Sequence, residues 1–183
     1  RPWSGEIVLD GLPRDQIPRR VIANSLAMVD QEIFFYEGTV REVLTMWDTT
    51  VPEEHIIQAA KDACIHEDIA ARAGGYDSIV EAGGSNFSSG QRQRLEIARA
   101  LVGNPGIVVL DEATSALDAV TEEQIDENLR RRGCTCVIVA HRLSTIRDCD
   151  EIIVLDRGTV AQRGTHETLQ GVRGLYRELI STY

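Results

Sequence analysis

The sequence lacks any apolar stretch of the roughly 20 residues needed to cross a bilayer. Its longest runs, such as Ile107 to Leu110 and Val137 to Ala140, are far shorter. It also lacks a basic excess: 183 residues carry a formal net charge of −10, which disfavours nucleic acid as a partner. The triplet Arg130, Arg131, Arg132 is the best basic patch. It ends a helix that starts with Glu122 and Glu123, so it reads as charge complementing a helix dipole. No C-x-x-C pair occurs. Cys64, Cys134, Cys136 and Cys149 are expected to be reduced, buried thiols rather than a disulfide frame. A metal site built from Cys134, Cys136 and His141 has no evident fourth ligand and is disfavoured. The opening residues lack an apolar signal core and transit-peptide character, so a cytosolic location is expected.

What is present is the balance of one globular domain, 43% hydrophobic and 26% charged. Residues 6–11 and 25–30 read as short strands. From Thr39 to Leu101 the pattern turns helical: Val40, Val43, Leu44 and Trp47 share one face, as do Ile56, Ala60, Ala63 and Cys64, with Pro52 opening the second helix. Glycines at 74, 75, 83 and 84 interrupt this lobe, and Ile79 to Glu81 read as loop. Ile107 to Leu110 and Cys136 to Ala140 are unalternated β-branched runs, the pattern of parallel strands covered on both faces. Between them lies a helix with Ile125 and Leu129 on one side and Gly133 as a left-handed stop. Residues 151–163 read as a hairpin, and Thr165 caps a last helix containing Leu169 and Leu179. Strand, helix, strand signals an α/β core.

The chemistry concentrates in three places. Asp111 and Glu112 end a buried strand, where open α/β sheets place ligand-binding loops, and adjacent acids serve phosphoryl transfer by holding magnesium and handling water. An exposed strand end explains such a pair equally well when it stands alone. His141 follows the next buried strand at the same edge, with Ser115-Ala116-Leu117-Asp118 between. Ser88-Ser89-Gly90 opens a helix, either as a simple N-cap or as hydroxyls and N–H groups aimed at a phosphate. Together these residues resemble half of an ATPase site, yet no G-x-x-x-x-G-K-[ST] loop occurs in the 183 residues, and that loop normally cradles the nucleotide.

Taken in order, these residues resemble the nucleotide-binding domain of ATP-binding cassette (ABC) proteins, across essentially the whole chain. Gln31 resembles the Q-loop glutamine, Ser88-Ser89-Gly90-Gln91 the signature motif, Ile107 to Asp111 the Walker B strand, Glu112 the catalytic glutamate, Ser115 to Asp118 the D-loop and His141 the switch histidine. The signature departs from Leu-Ser-Gly-Gly-Gln in having Phe87 and Ser89. Ala140 to Ile146, Val80 to Gly84 and Gly164 to Glu167 resemble exporter-type members.

The resemblance implies a P-loop NTPase-like, RecA-like α/β core, residues 1–37 and 102–183, with an inserted helical subdomain at 38–101. It implies ATP and Mg²⁺ as cofactors. Gln31 and Asp111 would hold the metal, Glu112 would polarise water and His141 would contact the γ-phosphate. Ser88, Ser89, Gly90 and Gln91 would grip nucleotide across a dimer interface that also contains Ser115 and Asp118. The implied partners are a second such domain, identical or different, and the membrane-spanning domain of an exporter, with no nucleic acid. The implied location is the cytoplasmic face of a membrane. The first residues resemble the segment after the phosphate-loop helix, so the chain is expected to be a fragment, inactive alone and prone to association where a missing strand exposes its sheet. A non-catalytic module that pairs with an intact cassette domain is the alternative. A cassette ATPase of DNA repair or translation is disfavoured by the compact helical lobe and the negative charge.

Overall fold

A computed structural model describes residues 2–140 and 142–181. The chain opens with a hairpin of β1 (Val8–Leu9) and β2 (Leu12–Pro13), then α1 (Arg19–Ser25) and β3 (Leu26–Val29). A long excursion follows through β4 (Gly38–Thr39), α2 (Val40–Thr45), α3 (Glu53–Asp62), α4 (His66–Ala70), β5 (Ile79–Val80) and α5 (Ser89–Val102). The chain then alternates β6 (Ile107–Asp111), α6 (Ala119–Arg132) and β7 (Thr135–Val139). It closes with α7 (Leu143–Ile146), β8 (Ile152–Asp156), β9 (Thr159–Gly164), α8 (His166–Gln170) and α9 (Leu175–Ser181). Among the described residues, no helix is long and apolar enough to cross a membrane.

β6 is the centre of a parallel sheet with β3 on one side and β7 on the other, in the register Met28, Val109, Val137. Parallel neighbours need long crossovers. Here the helical excursion makes the first and α6 the second, which is the expected α/β core with an inserted helical subdomain. Val29, Val108 and Leu110 share one apolar core with Val40, Val43 and Leu44 of α2, Ile56 of α3, Leu95 and Leu101 of α5, and Ile125 and Leu129 of α6.

The local punctuation works as the residue types dictate. Gly133 ends α6 at φ +71, a left-handed turn that glycine enters without a Cβ penalty. Thr39 and Ser88 each form a reciprocal capping box, with Glu42 and Gln91.

Several expectations are corrected. β7 is covered on one face only among the described residues, with Val137 and Val139 each 49% exposed. The helices that follow β3 and β6 contribute their apolar stripes to the core of Val108 and Leu110. Ile79 and Val80 are not loop: they pair antiparallel with Gly38 and Thr39, burying Val80. Trp47 leaves the inward face, because α2 ends at Thr45 and residues 46 and 47 turn at positive φ. Cys64 likewise lies beyond α3, at φ +56. The terminal helix is two helices: Thr165 caps α8, and Leu179 belongs to α9. The break admits Gln162 of β9, whose Oε1 accepts from Tyr176 N at 2.8 Å and thereby satisfies an N–H near the start of α9.

The cysteines are free but only half-buried. Cys134 and Cys136 bring their sulfurs to 3.9 Å; burial and the neighbouring Cys134 push the Cys136 thiol up to about 12. A thiol held protonated in this way is a poor metal ligand. Among the described residues no three or more His, Cys, Asp or Glu side chains gather as metal ligands. The third member of the disfavoured metal site, His141, lies outside the described residues.

The arginine triplet does more than complement a dipole. Arg132 Nη1 reaches Asp62 Oδ2 at 2.9 Å and Arg131 Nη2 reaches Oδ1 at 3.4 Å, tying α6 to the end of α3. Arg130 pairs instead with Asp126, one turn back, at 2.8 Å.

The loop before α5 is held tightly at Gly84. Its φ is +68, and a Cβ there would stand 2.9 Å from Cδ2 of the buried Phe35. Gly84→Ala is therefore expected to lose about 1–3 kcal/mol of stability through backbone strain and displacement of that ring. The shift of the urea midpoint at unchanged slope measures it, and a midpoint equal to the parent's would show that the loop relaxes freely.

Candidate active site

The carboxyl ends of three parallel strands create the first cluster of site residues. Glu112 follows β6 and extends its ladder by one bond, its N–H donating to Val139 O at 2.9 Å. Its φ is +49, a conformation that non-glycine residues rarely adopt and that stores strain at functional sites. Gln31, two residues past β3, donates from Nε2 to Glu112 Oε2 at 2.8 Å. Asp111, the last residue of β6, is half-buried beside them and in register with Val139. The structure thus gathers Gln31, Asp111 and Glu112 at one sheet edge. The oxygens of this set suit a hard cation such as Mg²⁺. His141, predicted at the same edge, lies outside the described residues.

The second cluster forms at the start of α5. Ser88 is its N-cap: Oγ accepts from Gln91 N at 3.2 Å, and Ser88 N donates to Gln91 Oε1 at 3.0 Å. The capping reading of this turn is therefore true, and it leaves donors available. The Ser88 hydroxyl still has its proton to give, and the N–H groups of Ser89 and Gly90 have no intrahelical acceptor by position. A helix N-terminus with such donors attracts anions. The side-chain amide of Gln91 is engaged elsewhere, donating to Asp68 Oδ1 at 2.8 Å. Asp68 also holds Arg94 at 2.7 Å, so α4 steadies the first turns of α5.

The third element is the loop after β6. Gln93, buried on α5, donates from Nε2 to Ser115 Oγ at 2.9 Å and accepts through Oε1 from Ala116 N at 2.8 Å. A Cβ on Gly90 would stand 3.3 Å from Ala116 O, so helix and loop meet at close range. Ser115 and the Ser88–Gln91 turn are thereby brought into one assembly. Asp118 caps α6, accepting from Thr121 N at 3.0 Å and Thr121 Oγ1 at 2.7 Å. These two bonds, the backbone one first, hold its carboxyl below the usual range. Ser88, Ser89, Ser115 and Asp118 all face solvent.

Gln93 was not among the sequence-predicted site residues. The available signal was its place four residues before Ile97 and eight before Leu101, in a helix row that is otherwise apolar: a glutamine there must find partners for both amide atoms. Gln93→Ala removes both bonds to the loop and, because Ser115 and Ala116 are exposed and can turn to water, is expected to destabilise the loop by about 1 kcal/mol. Amide exchange at Ala116 reads this directly, and undiminished protection there would contradict it.

Comparison with known proteins agrees with this architecture. The family model described as ABC transporter matches residues 1–115. The chain is 44% identical over 179 residues to "ABC multidrug transporter MDR5" of Trichophyton rubrum, spanning 96% of this chain and 14% of that protein. It is 41% identical over 182 residues to "Lactococcin-G-processing and transport ATP-binding protein LagD" of Lactococcus lactis, covering 98% of this chain and 26% of the relative. The solved "Structure of a bacterial Atm1-family ABC exporter with ATP bound" superposes with a TM-score of 0.92 at 37% identity, over all of this chain and 32% of that one. The chain thus spans only a seventh to a quarter of the length of these two curated relatives. The matched family, the exporter-type relatives and the shared fold agree with the order of the motifs on the sheet edge and at the start of α5: the chain belongs to the ABC transporter family.

Proposed function

We propose that these residues form the ATP-binding and ATP-hydrolysing domain of an ABC exporter, coupling hydrolysis to transport at the cytoplasmic face of a membrane. The observation that carries this reading is the hydrogen bond from Gln31 to Glu112, 2.8 Å long and spanning 81 residues of sequence, beside Asp111. It joins a loop neighbouring the helical lobe to the acidic end of the central strand, so the lobe's position and the state of the carboxylate are mechanically linked.

In this reading Asp111 and Gln31 hold Mg²⁺, and Glu112 orients and deprotonates the attacking water. His141 approaches the γ-phosphate. Mg²⁺, when bound there, would supply charge neutralisation for the phosphate oxygens. Ser88, Ser89 and Gly90 offer hydroxyl and N–H donors to nucleotide presented by a second cassette domain, while Gln91 holds the turn through its bonds to Ser88 and Asp68. Ser115 and Asp118 lie at the same interface. Residues 1–37 and 102–183 form the core and 38–101 the lobe.

A membrane-domain partner is supported by a row of exposed aromatic rings between the Gln31 loop and α2. Phe34 and Tyr36 stand edge to face at 5.2 Å, and Tyr36 and Trp47 at 6.4 Å. Exposed apolar side chains in a contiguous group mark interaction surfaces. The test is ATP turnover by the full-length protein. It is expected to require Mg²⁺ and to stop on chelation, and a full-length protein that neither binds nor hydrolyses ATP overturns the reading.

A further inference from the structure

The loop that carries Ser115 and Asp118 is held from two sides. Gln93 grips it from α5, as described above. From the other side it is held by a polar cluster to which no role has so far been assigned. Glu122, on the first turn of α6, is 4% exposed. It accepts from Thr114 Oγ1 at 2.8 Å and from Thr145 Oγ1 on α7, and it pairs with Arg142 Nη1 at 3.3 Å. The same Nη1 lies 3.4 Å from Thr114 O and 3.2 Å from Leu117 O.

One carboxylate and one guanidinium therefore join three segments: the loop after β6, the start of α6, and the stretch from residue 142 to α7. A carboxylate is taken out of water only where bonds to it replace hydration, and here those bonds come from both segments that flank the sheet edge. Beside the cluster lies a cavity of about 260 Å³ lined by Leu110, Ile125, Leu129 and Ile138 together with Glu122 and Thr145. Thr145 lines this cavity, while Ile146 of α7 packs against the separate apolar cluster of Ile152, Val154, Leu169 and Tyr176; the polar cluster is the tie between α7 and the loop after β6.

We infer that Glu122 and Arg142 are a positioning pair for the reaction, fixing the Thr114–Leu117 loop and the segment that starts at residue 142 to each other so that both sides of the sheet edge keep one geometry. Neither residue touches nucleotide in this account. Glu122 acts through Thr114 and Thr145, and Arg142 through the carbonyls of Thr114 and Leu117. The inference rests on the proposed ATPase reading, which the Glu112→Gln variant tests separately.

The experiment is steady-state ATP hydrolysis by the full-length transporter, with rates expressed per folded molecule. Glu122→Ala is expected to lower kcat about 10-fold, the scale of a small misplacement near the reacting groups, with KM for ATP within about 2-fold of the parent. Glu122→Gln keeps an oxygen that accepts from the threonines and should recover most of the loss. Arg142→Met changes the half of the pair that is 40% exposed, with thermal unfolding recorded beside the rate so that the fraction folded is known; its kcat per folded molecule should fall as well. The double variant Glu122→Ala/Arg142→Met should be no slower than Glu122→Ala alone, because both changes remove one interaction. Amide exchange should rise together at residues 114–117 and 142–146 in either single variant. If Glu112→Gln abolishes turnover while Arg142→Met keeps the parent kcat, the inference fails and the ATPase reading stands. Multiplicative losses in the double variant, or a Glu122→Gln protein no faster than Glu122→Ala, also overturn it.

Discussion

Replacing Glu112 by glutamine in the full-length protein is expected to lower ATP turnover by about 10²- to 10⁴-fold, the contribution of a positioned general base, while ATP binding persists. The substitution changes little in the structure. Glutamine matches the shape of glutamate, its amide oxygen can still accept from Gln31 Nε2, and the backbone bond from residue 112 to Val139 O does not involve the side chain. What is lost is a group able to take a proton from water. Binding measured by equilibrium titration and turnover measured by phosphate release separate the two effects. Turnover within about 3-fold of the parent would remove Glu112 from the chemistry and leave its contact with Gln31 as scaffolding.

Asp62→Ala should show the largest loss of stability, about 3–5 kcal/mol, as expected when one partner of a buried charge pair is removed. The parent is expected to hold only about 5–15 kcal/mol in all. Asp62 sits at the last residue of α3, where a negative charge opposes the helix dipole, so its presence there makes sense only through its partners. Its side chain is 3% exposed and meets Arg132 at 2.9 Å and Arg131 at 3.4 Å, with Gln58 Nε2 at 2.9 Å. Its backbone carbonyl accepts from Asn128 Nδ2 at 2.9 Å. Truncation would leave the Arg132 guanidinium, itself only 15% exposed, without its carboxylate between α3 and α6. Urea unfolding followed by two probes measures the change. A loss under about 1 kcal/mol would place the pair among ordinary surface ion pairs and disprove its role as the tie between the helical excursion and the core.

Legibility in the sequence followed the range of the interaction. Val8–Leu9, the β6 and β7 strands, the stop at Gly133 and the cap at Thr165 were readable because each depends on residues within a few positions. Asp111 and Glu112 were readable as the end of a buried strand, where open α/β sheets place ligand-binding loops; Gln31 joined them only through the resemblance to ABC proteins, and its hydrogen bond to Glu112 appears only in the folded chain. Trp47 and Leu179 were misplaced by helical periodicity, which a positive-φ turn and a helix break override. Ile79 was misplaced by the glycines that flank it, and its strand character comes from pairing with Thr39, forty residues earlier.

The sequence by itself determined the α/β alternation, the order and spacing of the site motifs and the family, since apolar period, turn chemistry and motif order are properties of the linear chain. Only the tertiary structure decided that Gln93 binds the Ser115 loop, that Glu122 and Arg142 tie that loop to α7, and that Asp62 answers Arg132 across 70 residues. A buried polar group takes whichever partner folding brings within about 3 Å, and that choice is made by the packing of the helices on the sheet, which no local pattern encodes.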